Sequence, residues 1–498
     1  MTTTAHTEGR VDWQEIYRQR LTTPEQAVKA VKSGDTVVLS IFPPVTLPPA
    51  LAARRDELRD VTIRLLAPAA DPGWLRMPDE SVFKVEFELY IGDFARFVTD
   101  ERRGAYLPNL FSLGMKAYDQ GREDVRVPDV VFVTVSPPNA AGFCHFGPHH
   151  WVQRSYARRC PTVIAEVNPA LAQVFGDVYI HVSEIDHFVE HEAPPFSREQ
   201  FDAAVATVPD EARREGWRQL ADELPDIRLL AAVAGVLAAV SPDDARRLLG
   251  MGDPPPEAEP IAKHLHEIIQ DGDTIQIGTG EPSRGMARLG AFAGKQHLGI
   301  HTELGWPGLA RMWRDGIVDG SRKKLHHGKS VAAAWTGCDP NDLAIIDSNP
   351  HFELYDPEYV LHPRTLTRFD RFVAINNAIT VDLLGQINAE SVFGGRIING
   401  TGGQPEMHMA GAFSPHGRAI TLLPSTAMGG AVSRIVAQMD AGSLITVPRF
   451  YADTVITEYG VARLWGKNHR QRAEELIAVA HPDHRDDLRA QARALWWP

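Results

Sequence analysis

The sequence predicts an α/β protein made of two similar open-sheet halves. Two observations carry that expectation. β-branched, strand-like runs alternate with helical stretches over the 498 residues, and the early part of the chain is echoed in order by the late part. "SGDTVVLSIFPPVTLPPAL", from Ser33, is answered by "DGDTIQIGTGEPSRGMARL", from Asp271, with Pro44 and Pro282 at the same offset. Each copy reads as turn, buried strand, loop and helix. "LRDVTIRLLAP" is then answered by "QHLGIHTELGW", and Pro128–Gly147 by Asp370–Glu390. A fourth match sets "TVIAEVN" and "GDVYIHVSEIDHFVE" against "SLITVPRF" and "ADTVITEYGVARLWG". Strands joined through helices in this way predict mostly parallel sheets.

Residues 196–260 interrupt the repeat. They are rich in Ala, Glu and Arg with a helical pattern, and they close on the linker "GDPPPEAEP". The expected organisation is therefore an N-terminal unit 1–195, a helical insertion and linker 196–260, and a C-terminal unit 261–498. Within the insertion, "LLAAVAGVLAAV" (Leu229–Val240) reads as a buried helix, too short for the roughly 20 residues that a bilayer crossing needs. In "SPDDARRLLG" Ser241 reads as the N-cap of a second helix, with Pro242 in its first turn and Gly250 as its stop.

Composition narrows the function classes. Apolar residues are 44% and charged residues 23%, the balance of a soluble globular protein. A net charge of −13 argues against nucleic acid as the main partner, while leaving room for a local basic pocket. Cys144, Cys160 and Cys338 match neither a zinc pattern nor a disulfide framework and read as reduced thiols of a cytoplasmic protein. "MTTTAHTEGRVDW" has no apolar core of a secretion signal, and no membrane association is expected. Without a His-Glu-x-x-His motif or a Cys/His cluster no metal site is expected, and His145 and the pairs His149-His150 and His326-His327 read as structural or incidental. There is no Gly-x-Ser-x-Gly nucleophile elbow.

Three glycine-bearing turns remain. In "IQIGTGEPSRGMARLG" a strand runs into Gly278-Thr279-Gly280, then Glu281 and Pro282: either a tight strand-to-helix turn or a cradle for an anion. "INGTGGQPEMHMAGA" carries Asn399-Gly400-Thr401-Gly402-Gly403-Gln404, whose N–H groups can form a concave anion or oxyanion site or merely a surface loop. "LLPSTAMGGAVSRIV" reads as strand, Gly429-Gly430 bend and helix, with Ser425, Thr426 and Ser433 as caps or substrate contacts. Glu303, in "LGIHTELGWPG", ends an apolar run where the first half has Leu66 or a neighbour. A carboxylate present in one copy alone is what catalysis grafted onto a duplicated scaffold produces; a solvent-facing strand end is the alternative.

Taken together, "GIHTE", "KKLHHGK", "DSNPHFELYDPEYV", "INNAITVDLLGQINAES", "GTGGQPE", "LPSTAMGGAVSRIV", "VITEYGVARLWGK" and "AHPDHR" resemble the acetyl-CoA hydrolase/transferase family of class I CoA-transferases. The resemblance runs from about Thr22 to about Arg485 apart from the insertion. It implies two open-sheet domains of the CoA-transferase type, and CoA transfer between an acyl-CoA and a small carboxylic acid through a glutamyl-CoA thioester. It maps the nucleophile onto Glu303, the oxyanion and thioester contacts onto Gly402 and Gly403, and CoA or acyl contacts onto Gly278, Thr279, Gly280, Glu281, Pro282, Asn376, Gly400 and Gln404. Coenzyme A would enter as substrate with no permanently bound cofactor, and a homodimer is implied. The chain departs from the family pattern at "SIFPPVTLPP", at Met428, at "GTGGQPEM" and at Trp306-Pro307, which bears on the acyl partner more than on the reaction type. Hydrolysis of acyl-CoA on the same scaffold and non-catalytic acyl-CoA binding remain as alternatives.

Overall fold

A computed structural model describes residues 12–41, 44–65, 71, 73–75, 80–90, 93–191, 196–230, 237, 241–392 and 394–497. It has the expected doubled α/β architecture. The first half carries a seven-stranded sheet in the order His187–Glu190, Thr162–Val167, Val130–Val135, Thr36–Leu39, Val61–Leu65, Phe83–Phe87, Gly104–Tyr106, all parallel. The second half carries a six-stranded sheet in the order Gly299–Ile300, Thr274–Ile277, Phe372–Asn377, Arg418–Leu422, Thr454–Thr457, Gly460–Arg463, parallel except for its last pair. Central strands such as Thr274–Ile277 are buried at every position. Helices and loops cover both faces of a parallel sheet, so its strands read as unbroken apolar runs rather than alternations.

Five strands of each half correspond in sequence order and sheet position, and three of these correspondences follow the repeat read from the chain. One of the matched segments belongs elsewhere. The counterpart of Thr162–Val167 is Arg418–Leu422, which follows the helix Gln404–Phe413. Ser443–Phe450 contributes only an isolated antiparallel bridge between Ile387 and Val447. A short β-branched run looked like a strand there, but no neighbouring strand offers it a ladder. Two expected helices are also replaced. After Pro282 there is a short 3-10 turn, Ser283–Gly285, and after Leu422 the chain forms a hairpin pairing Thr426–Ala427 with Val432–Ser433. Gly429 and Gly430 both take positive φ at its tip, a geometry that ends a hairpin rather than starting a helix. Ser425 accordingly caps nothing: its Oγ and N–H both donate to Glu458.

The insertion forms the helices Arg198–Ala206, Glu211–Glu223 and Pro242–Leu248 around a small core of Phe201, Val205, Trp217 and Leu220. Ser241 accepts the Asp244 N–H at 3.0 Å with Pro242 in the first turn, as its sequence indicates. Most of the apolar run 229–240 lies outside the described residues. Among the described residues no helix is long and apolar enough to cross a membrane, and no cluster of His, Cys, Asp and Glu is arranged to hold a metal. The three cysteines are free and buried.

The halves share a core. Val131, Val133 and Trp151 of the first pack in one cluster with Leu304, Ala333, Leu361 and Met407 of the second. Backbone bonds cross the seam: Trp151 N–H donates to Ala333 O at 3.0 Å, and Trp335 N–H to Pro148 O at 2.8 Å. Three of the four paired histidines hydrogen-bond at this seam or near it. His149 meets Thr336, His150 meets Asp356 and His326 meets Tyr359. Trp151 is fully buried, edge-on to Phe111 at 5.0 Å. Trp151→Ala is therefore expected to lower stability by about 3–5 kcal/mol, read as a fall in the urea midpoint.

Candidate active site

The carboxyl ends of three adjacent strands of the second sheet meet at one level. Ile277 pairs with Ile375, so Gly278 stands beside Asn376, and Gly278 N–H donates to Ile375 O at 2.8 Å. A Cβ on Gly278 would come within 2.7 Å of Asn376 Oδ1, so only glycine lets the turn lie this close. Asn376 and Gln276 exchange two amide hydrogen bonds of 3.0 and 2.9 Å. Ser283 N–H and Asn377 Oδ1, and Asn377 Nδ2 and Ser283 Oγ, pin the rest of the turn at 3.0 and 2.8 Å.

On the outer side, the strand Gly299–Ile300 runs on through His301 and Thr302 to Glu303. The Glu303 carbonyl accepts N–H bonds from Ala333 (3.0 Å) and Ala334 (3.2 Å), while Thr302 N–H donates to Val331 O and Gly305 N–H to Ala334 O, each at 3.0 Å. The backbone that bears Glu303 is thus gripped on both sides of the residue. Its side chain points at the third turn. Gly403 N–H donates to Glu303 Oε2 at 2.8 Å, and a Cβ on Gly403 would overlap both Oε2 and Leu361 Cδ2. Gln404, at the head of the following helix, donates from its amide to Asn377 O at 3.0 Å and ties this turn to the central strand.

The first half fastens the glycine loop. Gly400 N–H donates to Tyr90 O at 2.7 Å, and Thr401 N–H donates to Tyr106 Oη at 3.0 Å, with Tyr106 Oη and Thr401 Oγ1 at 2.8 Å. The Arg96 guanidinium reaches Ile398 O at 2.7 Å and Asn399 Oδ1 at 3.0 Å. Gly400 and Thr401 N–H groups are therefore occupied. Among the described residues the Gly402 N–H has no partner, while the Gly403 N–H is already given to Glu303 Oε2.

These elements enclose a cleft of about 180 Å³ lined by Glu303, Gly278, Thr279, Gly280, Asn376, Gly400, Gly402, Gly403 and Gln404, among others. Glu281 and Pro282 lie past its edge. Glu281 instead lines a neighbouring cavity of about 520 Å³ with Asp253, Glu257, Met428 and Arg434. Sequence reasoning did not pick out Leu89, Tyr90, Gln276 and Asn377, which also line the cleft, as does Asn399 of the glycine loop. The one local signal was a glutamine inside the otherwise apolar run "TIQI".

Glu303 is half-buried and lines the cleft. Loss of solvent pushes its pKa up to about 8; the Gly403 N–H opposes that rise and the carboxyl of Glu406 adds to it. Glu406 is itself pushed up to about 7 by burial, with Ser112 N–H donating to it at 3.1 Å.

A cleft at the carboxyl ends of parallel strands, floored by a desolvated carboxylate and walled by glycine turns, defines an α/β protein that acts on a bound small molecule. The chain belongs to the acetyl-CoA hydrolase/transferase family: residues 5–197 match the model of its N-terminal domain and 342–492 that of its C-terminal domain. It is 30% identical to a 4-hydroxybutyrate coenzyme A transferase of Clostridium kluyveri over 96% of this chain and 98% of that protein. It is 29% identical to a succinyl-CoA:cyclohexane-1-carboxylate CoA transferase of Geobacter metallireducens over 97% of both chains. Its fold is similar to that of RipA from Yersinia pestis, with a TM-score of 0.78 and 25% identity over 98% of this chain and 100% of that one.

A carboxyl that ionises near pH 4.3 when unfolded and near 8 when folded keeps its proton in the folded state across that window. The unfolded chain then binds fewer protons, so this group lowers stability as pH rises from about 4.3 to about 8. Glu303→Gln is expected to remove that loss. The variant should gain stability relative to the parent between pH 5 and pH 8 in urea titrations, and little below pH 4.

Proposed function

We propose that the protein transfers coenzyme A between an acyl-CoA and a small carboxylic acid through a covalent intermediate on Glu303. The observation that carries this reading is the 2.8 Å contact of a half-buried carboxylate with the Gly403 N–H inside the cleft. A carboxylate is a poor nucleophile when fully hydrated, and partial desolvation raises its basicity and its reactivity. Ionised Glu303 attacks the acyl-CoA carbonyl, the C–S bond breaks, and CoA leaves as thiolate from a mixed anhydride. The thiolate attacks the glutamyl carbonyl, expels the first carboxylate with one glutamyl oxygen, and leaves a glutamyl-CoA thioester. A second carboxylate attacks that thioester, CoA thiolate leaves, and attack of the thiolate on the new acyl carbonyl releases acyl-CoA and regenerates Glu303.

Each tetrahedral intermediate places negative charge on a carbonyl oxygen. The N–H of Gly403, which faces Oε2, and the unengaged N–H of Gly402 support that charge without reorganising. Gly278–Gly280 and Asn376 form the opposite wall, where the acyl-CoA would lie. Contacts along the long CoA chain, away from the reacting bond, can supply binding energy for the anhydride step. Water as the final acceptor is the second reading, since the family model covers hydrolases as well as transferases. Loss of acyl-CoA without added carboxylate would favour it.

Incubation with acyl-CoA followed by borohydride or hydroxylamine should modify the Glu303 peptide in mass spectra, and an unmodified peptide would count against the mechanism. Turnover should rise with pH through about 8, as the reactive ionised form replaces the protonated one. Gly403→Ala should cost about 10²–10³ in kcat, because it breaks a donor contact at the reacting carboxyl.

A further inference from the structure

The motif "KKLHHGK" (323–329) plays no part in the cleft, yet Lys323 holds one of the least usual positions in the molecule. It is 3% exposed, with no carboxylate at ion-pair distance among the described residues. The nearby acid, Glu353, faces Lys329 at 3.3 Å and His326 at 3.5 Å instead. An ammonium is almost never buried unless its protons are matched by acceptors. Here the acceptors are two backbone carbonyls: Nζ donates to Ile300 O at 2.7 Å and to Lys329 O at 2.6 Å. Nζ also lies 5.9 Å from the centroid of the Phe369 ring, and burial pushes the pKa of Lys323 down to about 7.

The two carbonyls belong to the two segments that carry and grip Glu303. Leu298 O accepts from Asp319 and Gly320 N–H groups, after which the chain leaves in the loop that ends where Gly328 N–H donates to Gly320 O. Direct pairing between the segments resumes at His301 with Val331 and at Leu304 with Ala334. Just before that pairing, Lys323 Nζ donates to Ile300 O on one segment and to Lys329 O on the other, and so adds a side-chain cross-link between them. Three residues beyond Ile300 is Glu303, and beyond Lys329 come Ala333 and Ala334, whose N–H groups hold the Glu303 carbonyl. The stem of Lys323 reaches these carbonyls by crossing Gly299, where a Cβ would stand 2.5 Å from its Cγ and 2.7 Å from its Cδ.

We propose that Lys323 is a positioning residue for the nucleophile, joining the strand that bears Glu303 to the strand that fixes its backbone. The proposal rests on the reading of Glu303 as the covalent nucleophile. Displacement of about 1 Å in a reacting group costs on the order of 10²-fold in rate, and the staple acts on the strand rather than on the surfaces that bind CoA. The test uses the full chain. Lys323→Met keeps the length of the side chain and removes its donors. Turnover is divided by the number of sites that form a trapped glutamyl thioester, so that misfolded protein does not count. The proposal expects a fall of tenfold or more, up to about 10²-fold, in kcat per competent site, with KM for acyl-CoA within about twofold of the parent. A purely structural lysine would lower the number of competent sites and leave kcat per site unchanged, and that result would overturn it. If Lys323→Met does not yield folded protein, Gly299→Ala is read in the same way: it keeps the ammonium but drives a methyl into its stem, and an unchanged kcat per site again overturns the proposal. A parent protein that forms no thioester at all would instead sink the reading of Glu303 itself.

Discussion

The site depends on a carboxylate lying against a backbone amide at a distance that only glycine permits. Glu303 Oε2 and Gly403 N are 2.8 Å apart, and any side chain on residue 403 would occupy the carboxylate's place. Two opposed demands meet there. Removing solvent makes the carboxylate reactive but favours its neutral form, while the N–H favours the charged form and any oxyanion that replaces it. A single donor leaves the balance on the side of desolvation, with a pKa about 8. The carboxyl is thus far more basic than one in water, yet still ionises within the range where proteins work.

Holding that contact takes elements far apart in sequence. The glutamate arrives on an edge strand, the amide on a loop 100 residues later, and both are referred to the central strands through Gly278, Asn376, Asn377 and Gln404. The first half contributes no ionisable group to the cleft lining among the described residues beyond Tyr90. It clamps the glycine loop through Tyr90, Tyr106 and Arg96 and closes the core behind it. The second half thus supplies most of the cleft lining, and the first half holds the glycine loop in place. Leu66, which the repeat sets opposite Glu303 in sequence, lies outside the described residues.

Much of this was legible in the chain. The repeat gave the second-half equivalents of Thr36–Leu39, Val61–Leu65 and Val130–Val135 because parallel strands buried on both faces leave a strong apolar signature, and Gly-Asp-Thr set the register of the first. Glu303 stood out because it broke such a run in one copy alone. The fourth pairing slipped to Ser443–Phe450 because a β-branched run signals extended backbone whether or not a neighbour exists to pair with it. Thr426–Ser433 was read as a helix start, whereas two adjacent glycines at positive φ close a hairpin. Tyr90, Tyr106 and Arg96 were invisible for another reason: they act through contacts some 300 residues away in sequence, and no local pattern records these. Lys323 was quoted within a motif, but its burial against carbonyls appears only once the strands are assembled.

The most direct measurement is an infrared titration of the Glu303 carboxyl, taken as the difference between the parent protein and Glu303→Gln over pH 4–10. A desolvated carboxyl held by one amide should keep its protonated C=O band through neutrality and lose it with a midpoint near pH 8. A carboxylate band already complete by pH 6 would show a hydrated, ordinary glutamate, and the physical basis for its reactivity would be gone.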